Sequence, residues 1–527
     1  MSEEAVVIAI DQGTTSARAV AFNEQSLPVA VFQVELNQIY PRPGWVEHDP
    51  LQLVEACKEC VTEVCHQLVN KGIALDQVKA LGIANQRETS VLWDRRTGEP
   101  VGNAIVWSDT RTEGLVKQLQ KRPNVHRVKQ LSGLYINAYF AATKVLWQLE
   151  NNEMARRIYE EGELCFGTVD SWLIYALSGG EAHITDASNA SRSMLLNLAK
   201  MEYDPELIEF FGFQKLILPE LKTSSEVYAH LYLPDEPLDK LPIAGCVGDQ
   251  AAALVGHFGF NKGDAKNTYG TGCFLMYNTG EEPVLTDNGL LTTVAFQLPG
   301  QKPAYALEGS IAVCGTVIKW LRNNLGIIET SDQVGDLIDS VPDTAGVYFV
   351  TAFNGLFSPY WDAAARGTIV GLTAYSTRAH ITRAAIEAVC YQSRKIYDIM
   401  RAESGAKPQD PRNLKVDGGL TASDVIMQLQ SDIGGFDIQR PAMKEVTAFG
   451  AAVMAGLAVG MWKSVDEIVA SQKMTAALTK RFCPNTGTYQ RDKAMCEWDR
   501  AVERAKNWFH QEQAEKESEE PNEEDYH

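Results

Sequence analysis

No stretch of this chain approaches the roughly 20 uninterrupted apolar residues that a membrane-spanning helix needs, so no transmembrane segment is expected. Basic charge is scarce too. The 48 Lys and Arg stand against 68 Asp and Glu, a formal net charge of −20, which argues against a nucleic-acid partner because phosphate backbones select basic faces. Part of the excess is local: Glu512 to Asp525 sets eight acids against Lys516 alone, and residues 511–527 read as a solvated, disordered acidic tail. The start, MSEEAVV, is acidic and runs directly into an apolar segment. It has neither the charge nor the apolar pattern of a signal or transit peptide, and residence in the cytoplasm is the expectation. Metal-ligand motifs are also missing. The nine histidines show no ligand spacing, and the ten cysteines contain one close pair, Cys57 and Cys60. That pair lies in the helical pattern of Leu53, Val54, Val61, Val64 and Leu68 with no matching second pair, so core packing is expected instead of zinc or redox chemistry.

What is present suits a globular enzyme: 527 residues, 45% hydrophobic and 22% charged. That length exceeds one usual core, so two domains with a cleft between them are expected. The stretch Val6 to Arg18, VVIAIDQGTTSAR, reads as a buried strand that ends on an acid, a glycine and three hydroxyls: Asp11, Gly13, Thr14, Thr15 and Ser16. A second apolar run, Ala17 to Phe22, follows, so the turn joins two antiparallel strands instead of opening a helix. The hydroxyls and N–H groups of such a turn are the raw material of an anion nest, and Asp11 is placed to hold Mg2+ directly or through water.

Further along, Asp49 and Pro50 form a helix start, and the periodic pattern from Leu51 to Asn70 closes at Gly72. Val78 to Ala84 reads as a strand delivering Arg87 and Glu88 to its end, either a donor and acceptor for a polyol or a surface salt bridge. Trp107 and Tyr139 either wall a small substrate or fill the core. Residues 120–240, with helices around Thr143 to Ile158, read as an insertion in the first domain. Leu241 to Gly248 is a strand leading to Asp249 and Gln250 at the head of an Ala-rich helix; Asp249 there is either a proton acceptor or an ordinary N-cap. The opening pattern then recurs in Asp264 to Tyr277, with Thr271 and Gly272 placed like Thr14 and Gly13, which suggests two similar domains facing one nucleotide. Gly309 and Gly315 sit where backbone can approach a ligand, and LKVDGG at Leu414 to Gly419 leads from a strand to a helix over Ala422 to Ile433. Ala448 to Val459 reads as a buried helix.

Together these residues resemble the FGGY carbohydrate kinases, which share the actin and Hsp70 ATPase fold. The resemblance runs from about Val6 to Trp508 and rests on DQGTTSAR at Asp11, NQRET at Asn85, GDQ at Gly248, YGTGCF at Tyr269, VDGG at Val416 and the segment Gly367 to Glu387. It implies an α/β fold of two actin-like, RNase H-like domains flanking a catalytic cleft: 1–255 for substrate and phosphate, 256–510 for the nucleotide. The likeness is to members acting on glycerol, and it implies ATP-dependent phosphorylation of glycerol to sn-glycerol 3-phosphate with Mg2+. Residue by residue it implies Asp249 as general base, with Arg87, Glu88, Trp107, Tyr139, Gln250 and Phe274 around the glycerol. It further implies Thr14, Thr15, Ser16 and Arg18 on phosphate, Asp11 and Asp249 on the metal, and Thr271, Gly272, Gly315, Lys319, Gly419 and Ser423 on the nucleotide. A homodimer or homotetramer is implied as well.

Some positions depart from that pattern. Relatives from bacteria carry Gln at Lys319 and Asn at Ser423, and the first family signature expects Pro, Ser or Thr at Ala141. Residues 229–241 lack the loop that binds fructose 1,6-bisphosphate in regulated relatives, so that inhibition is not expected. The nearest rival, a kinase for a pentulose or another polyol, lacks adjacent Arg and Glu in an NQRET setting. An ATP-binding scaffold would lack the acids at Asp11 or Asp249, and both are present.

Overall fold

The computed structural model describes residues 4–234, 236–471 and 479–509; the expected acidic tail lies outside the described residues. Two mixed sheets organise the chain. The first sets six strands side by side in the order Val227–His230, Pro242–Gly248, Val78–Asn85, Val6–Gln12, Ser16–Asn23 and Pro28–Glu35. Val6–Gln12 pairs antiparallel with Ser16–Asn23, Asp11 opposite Arg18, and parallel with Val78–Asn85, Gln12 opposite Asn85. Pro242–Gly248 continues the parallel set with Gly248 opposite Asn85. Gln12, Asn85 and Gly248 therefore end in one row, and the loops beyond them open on the same edge, where open α/β sheets bind ligands.

The second sheet repeats this plan. Ala304–Ile311, Cys273–Gly280 and Ala265–Tyr269 form an antiparallel set, followed by Asn413–Asp417 and Asp437–Arg440 in parallel, with Leu291–Phe296 and Lys480–Phe482 at the edges. The recurrence expected from the two Gly-Thr turns is thus a recurrence of strand order: three antiparallel strands, then two parallel ones.

Alternation in the first strand explains how its sheet is covered. Val6, Ile8 and Ile10 face the helix Pro50–Asn70, in one core with Leu53, Cys57 and Cys60. Cys57 and Cys60 are fully buried, as core packing requires. The Asp49 carboxylate caps this helix by accepting from Leu51 N at 2.9 Å, with Pro50 in its first turn. Val7 and Ala9 face the opposite way, onto the helices Asp249–Gly256 and Val446–Ala458. Those two helices come from the two halves of the chain and cross in backbone contact. A Cβ on Gly450 would stand 1.9 Å from the Ala252 carbonyl oxygen, and one on Gly256 would stand 2.0 Å from that of Val446. Replacing Gly450 by Val should therefore overpack this joint, at a cost of about 1–3 kcal/mol or more. Thermal unfolding of the variant checks this; an unchanged midpoint contradicts it.

Residues 120–240 are less regular. The helices expected around Thr143 to Ile158 are Ala141–Asn151 and Glu153–Glu160, separated by Asn152, whose side chain caps the second. Small strands from this part and its surroundings, Glu47–His48, Ala104–Ile105, Ser90–Asp94 and Leu164–Thr168, form a separate four-stranded sheet. Among the described residues no helix is long and apolar enough to cross a membrane.

Candidate active site

The row of strand ends gathers Asp11, Arg87, Glu88 and Asp249. The turn after Asp11 is closed by Gly13 N donating to Ser16 O at 2.9 Å, leaving Thr15 exposed and Thr14 and Ser16 half-buried. A buried amide layer braces it from behind. Gln12 Nε2 and Gln86 Nε2 both donate to Gly13 O, at 2.9 and 3.0 Å, and Thr89 Oγ1 donates to Gln86 Oε1 at 2.8 Å. His48 sits against Gln86, and burial pushes its pKa down to about 4, so the ring is neutral near pH 7.

Asp11 is held in an unfavourable place for a bare carboxylate. Burial and the neighbouring Asp249 push its pKa up to about 7; Arg18 opposes them, while Glu445 and Asp417 add to the rise. Arg18 is already engaged in this structure: its guanidinium binds Glu445, at the head of the helix Val446–Ala458, and Gln33, whose Oε1 lies 3.0 Å from Nε. The phosphate-facing charge expected of Arg18 is thus shared with an acid from the other half of the chain.

Arg87 and Glu88 are not a surface salt bridge: they are 3% and 1% exposed. Nor do they pair with each other. Glu88 lies in the left-handed region at φ 59°, and the two neighbours find different partners. Arg87 donates Nη1 and Nη2 to Glu308 at 2.6 and 3.0 Å, with Nε 3.3 Å from Asp249 Oδ1. Glu88 Oε1 accepts from Arg192 Nε at 2.5 Å. Burial alone would push Glu308 up, but the Arg192 and Arg87 guanidiniums bring its pKa down to about 2.

Aromatic rings close the other side. Trp107 stands edge-to-face with Tyr139 at 5.6 Å and with Phe274 of the second sheet at 5.8 Å. Its Nε1 donates to Thr14 Oγ1 at 2.8 Å, tying this wall to the turn after Asp11. Tyr139 is held from behind by Lys144, which is fully buried and donates to the carbonyls of Ala138 and Tyr139 at 2.8 and 2.5 Å. Burial pushes Lys144 down to about 7.

Asp249 is not an N-cap. Gly248 occupies that position, and Asp249 is the first residue of the helix, its side chain 27% exposed. Burial raises its pKa, and Arg87 and Lys266 pull it back. Lys266 is fully buried between Gln250 Oε1 at 2.5 Å, Thr268 Oγ1 at 2.9 Å and Phe274 O at 3.3 Å. Burial lowers its pKa to about 8. Asp417 completes this layer, accepting from Thr268 Oγ1 at 3.2 Å and lying 2.7 Å from His257 Nε2.

On the second sheet the turn carrying Thr271 and Gly272 is closed by Gly270 N donating to Gly272 O at 2.9 Å. The helix Gly315–Asn323 is seated on it: Gly315 N donates to Gly270 O at 3.0 Å, and a Cβ on Gly315 would stand 2.7 Å from that oxygen. Gly418, at φ +92°, packs on Tyr269, whereas a Cβ on Gly419 would meet nothing within 4 Å, so Gly419 presents open backbone. Two expectations change. Gly309 does not approach a ligand, because Ile396 fills the space above it. The helix expected over Ala422 to Ile433 is a short 3-10 turn, Gly419–Ala422, followed by Asp424–Gly434. Ser423 caps that helix, its hydroxyl accepting from Ile426 N at 3.4 Å. Lys319 is an exposed side chain on Gly315–Asn323.

A second cluster, Asp170, Asp186 and Cys246, brings possible ligand atoms within 4.8 Å of one another. Its carboxylates are already engaged by Thr168 and Thr185, and by Ser188, Asn189 and Ser224. This is a satisfied polar core.

Residues 6–256 match the N-terminal domain, and residues 265–459 the C-terminal domain, of the FGGY family of carbohydrate kinases. The chain belongs to this family. It is 45% identical over 511 residues to the glycerol kinase of Clavibacter michiganensis subsp. michiganensis, covering 96% of this chain and 99% of that one. It is 47% identical over 502 residues to the glycerol kinase of Carboxydothermus hydrogenoformans, covering 95% and 98%. Among solved structures it resembles Plasmodium falciparum glycerol kinase with ADP at 36% identity and TM-score 0.87, with 95% of this chain and 98% of that chain covered. Gluconate kinase from Lactobacillus acidophilus, at 21% identity and TM-score 0.79 over 95% and 97%, is alike in fold. The two-domain α/β architecture expected from the motifs is the fold of this FGGY kinase.

Several residues of this candidate site escape a sequence reading: Lys266, Glu308, Arg192, His48 and Glu445. Lys266 and Glu308 each carry a charge inside a strand, and in AYALEGSI the flanking residues are apolar. That placement is the signal available, since a buried charge needs a partner.

Proposed function

We propose that the protein transfers the γ-phosphoryl group of ATP to a terminal hydroxyl of glycerol, giving ADP and sn-glycerol 3-phosphate. The observation that carries this reading is the gathering of Arg87 and Asp249 at the strand ends with the mutually packed Trp107, Tyr139 and Phe274 rings, which are joined to the hairpin turn by the bond from Trp107 to Thr14. Rings suit the carbon backbone of a small polyol, while Arg87, Glu88 and Gln250 suit hydroxyls that both donate and accept. The full-length likeness to two glycerol kinases supports the same substrate.

In this reading residues 1–255 hold glycerol and the transferring phosphoryl group, and residues 256–510 hold the nucleotide. Asp249 accepts the proton of the attacking hydroxyl as the new P–O bond forms and the bond to ADP breaks. The transition state is loose and the proton leaves late, so positioning and charge neutralisation matter more than a strong base. Thr14, Thr15, Ser16 and the N–H groups of their turn donate to the phosphoryl oxygens, with Arg18 nearby. Thr271, Gly272, Gly315 and Gly419 line the nucleotide path, Gly419 with open backbone, Lys319 stands at its rim, and Ser423 contributes through the helix it caps.

The donor set fits Mg2+: Asp11 and Asp249 are hard oxygen ligands, and the unfavourable charge on Asp11 is what a cation would relieve. When bound, Mg2+ supplies neutralisation of the phosphate oxygens. Asp11 must be deprotonated to hold it, so binding weakens as pH falls through about 7. Half-saturating Mg2+ is expected to rise severalfold from pH 8 to pH 6, read from initial rates in Mg2+ titrations. Equal values at both pH values contradict this assignment.

The reading places the reaction in the cytoplasm, where ATP is supplied, in a homodimer or homotetramer. Its direct test is phosphorylation of glycerol, dihydroxyacetone, xylulose and ribulose by the purified chain. Glycerol should lead, and a ketopentose preferred by more than tenfold overturns the assignment.

A further inference from the structure

The buried charges around Arg87 include two that the reaction as described leaves without a role. Glu308 stands in mid-strand on Ala304–Ile311 of the second sheet, fully buried. Its carboxylate crosses to the first unit, accepting from Arg87 at 2.6 and 3.0 Å and from Arg192 Nη2 at 3.1 Å. Arg192, equally buried, reaches on to Glu88, and its guanidinium carbon lies 5.3 Å from the Phe140 ring centre. Arg192 Nη1 has no hydrogen-bond partner. Arg87, Glu308, Arg192 and Glu88 thus form a closed ring of alternating charge, completed by the peptide bond between residues 87 and 88.

Stability alone is a poor reason for such a ring. Four charges removed from water recover their desolvation cost only with close geometry, and apolar residues of similar volume do as well or better. What the ring does that apolar packing cannot is fix two guanidinium planes and a carboxylate against one another across the joint between the sheets. We infer that Glu308, with Arg192 as its relay to Glu88, is the positioning residue through which the second unit sets the polyol site of the first. This rests on the glycerol reading above. With Glu308 in place, Arg87 and Glu88 face the polyol in one geometry. When the units part, both arginines lose their shared anion and the polyol grip loosens with them. Polyol binding and apposition of the nucleotide unit are thereby coupled.

The test uses the full-length chain with Glu308→Asp, which keeps the charge but is one methylene too short to hold both arginines, and with Glu308→Gln. Wild-type turnover on glycerol is measured alongside; its absence overturns the glycerol reading and not the coupling. For Glu308→Asp the expected result is a KM for glycerol raised at least tenfold, a KM for ATP within twofold of wild type and a near-native thermal midpoint. Adding Glu308→Asp to Arg87→Lys should raise the glycerol KM by less than a further threefold, because both changes break one device. Glu308→Gln should show the same split between the substrates, and if it fails to fold, Glu308→Asp carries the test. A glycerol KM within twofold of wild type in Glu308→Asp overturns the inference. So does a parallel rise in both KM values, or a fully multiplicative effect with Arg87→Lys.

Discussion

Asp249→Asn is expected to lower kcat for glycerol by about 10²- to 10⁴-fold, the range that removal of a positioned proton acceptor produces. The substitution keeps the shape and removes the charge. Asp249 starts its helix with its side chain partly exposed, 3.3 Å from Arg87 Nε. Glu308 cannot replace it, because both of its oxygens are committed to arginines. ATP binding should change by less than about threefold, since the residues proposed for the nucleotide belong to the second unit. The substitution also removes a charge that pushes the Asp11 pKa up, so the acid limb of the Mg2+ dependence should move to lower pH in the variant. Stopped-time assays at saturating ATP and glycerol, with nucleotide binding measured separately, check the prediction. Retention of more than about a tenth of wild-type turnover takes the base role away from Asp249.

Arg87→Ala is expected to raise the KM for glycerol by about 10- to 100-fold, and the structure adds a second consequence. Removing the guanidinium leaves Glu308 buried with Arg192 alone, and breaking a buried charge pair typically costs about 3–5 kcal/mol. The alanine variant should therefore unfold at a lower temperature as well as bind glycerol poorly. Arg87→Lys separates the two effects. It restores a cation near Glu308 but not the planar fork that meets both carboxylate oxygens, so stability should partly recover while the glycerol KM stays high. A glycerol KM within about twofold of wild type in both variants moves Arg87 out of the substrate site.

The local pieces of this fold were legible because local chemistry determines them. Apolar runs at Val6 to Ile10 and Ala17 to Phe22, a Gly turn between them, and Asp49 before Pro50 leave little choice of conformation, and the hairpin and the capped helix stand as read. The return of the Gly-Thr turn at Thr271 correctly indicated a repeated sheet. Partner choice was not legible. Arg87 and Glu88 are neighbours in sequence, yet the partner of Arg87 lies 221 residues away and that of Glu88 104 residues away. Those bonds are set by how the sheets meet, which no periodicity records. Gly309 is an instructive miss: a glycine that admits a ligand and one that admits an isoleucine look the same until Ile396 is placed above it.

The central claim is that one phosphoryl group passes from ATP to one end of glycerol. Product analysis of the purified chain with ATP, Mg2+ and glycerol, by phosphorus NMR and oxidation with a stereospecific glycerol 3-phosphate dehydrogenase, tests it most directly. The expected result is one sn-glycerol 3-phosphate for each ADP formed, with little ADP when glycerol is omitted. ADP released as readily without glycerol, or with no phosphorylated glycerol to match it, would contradict the claim.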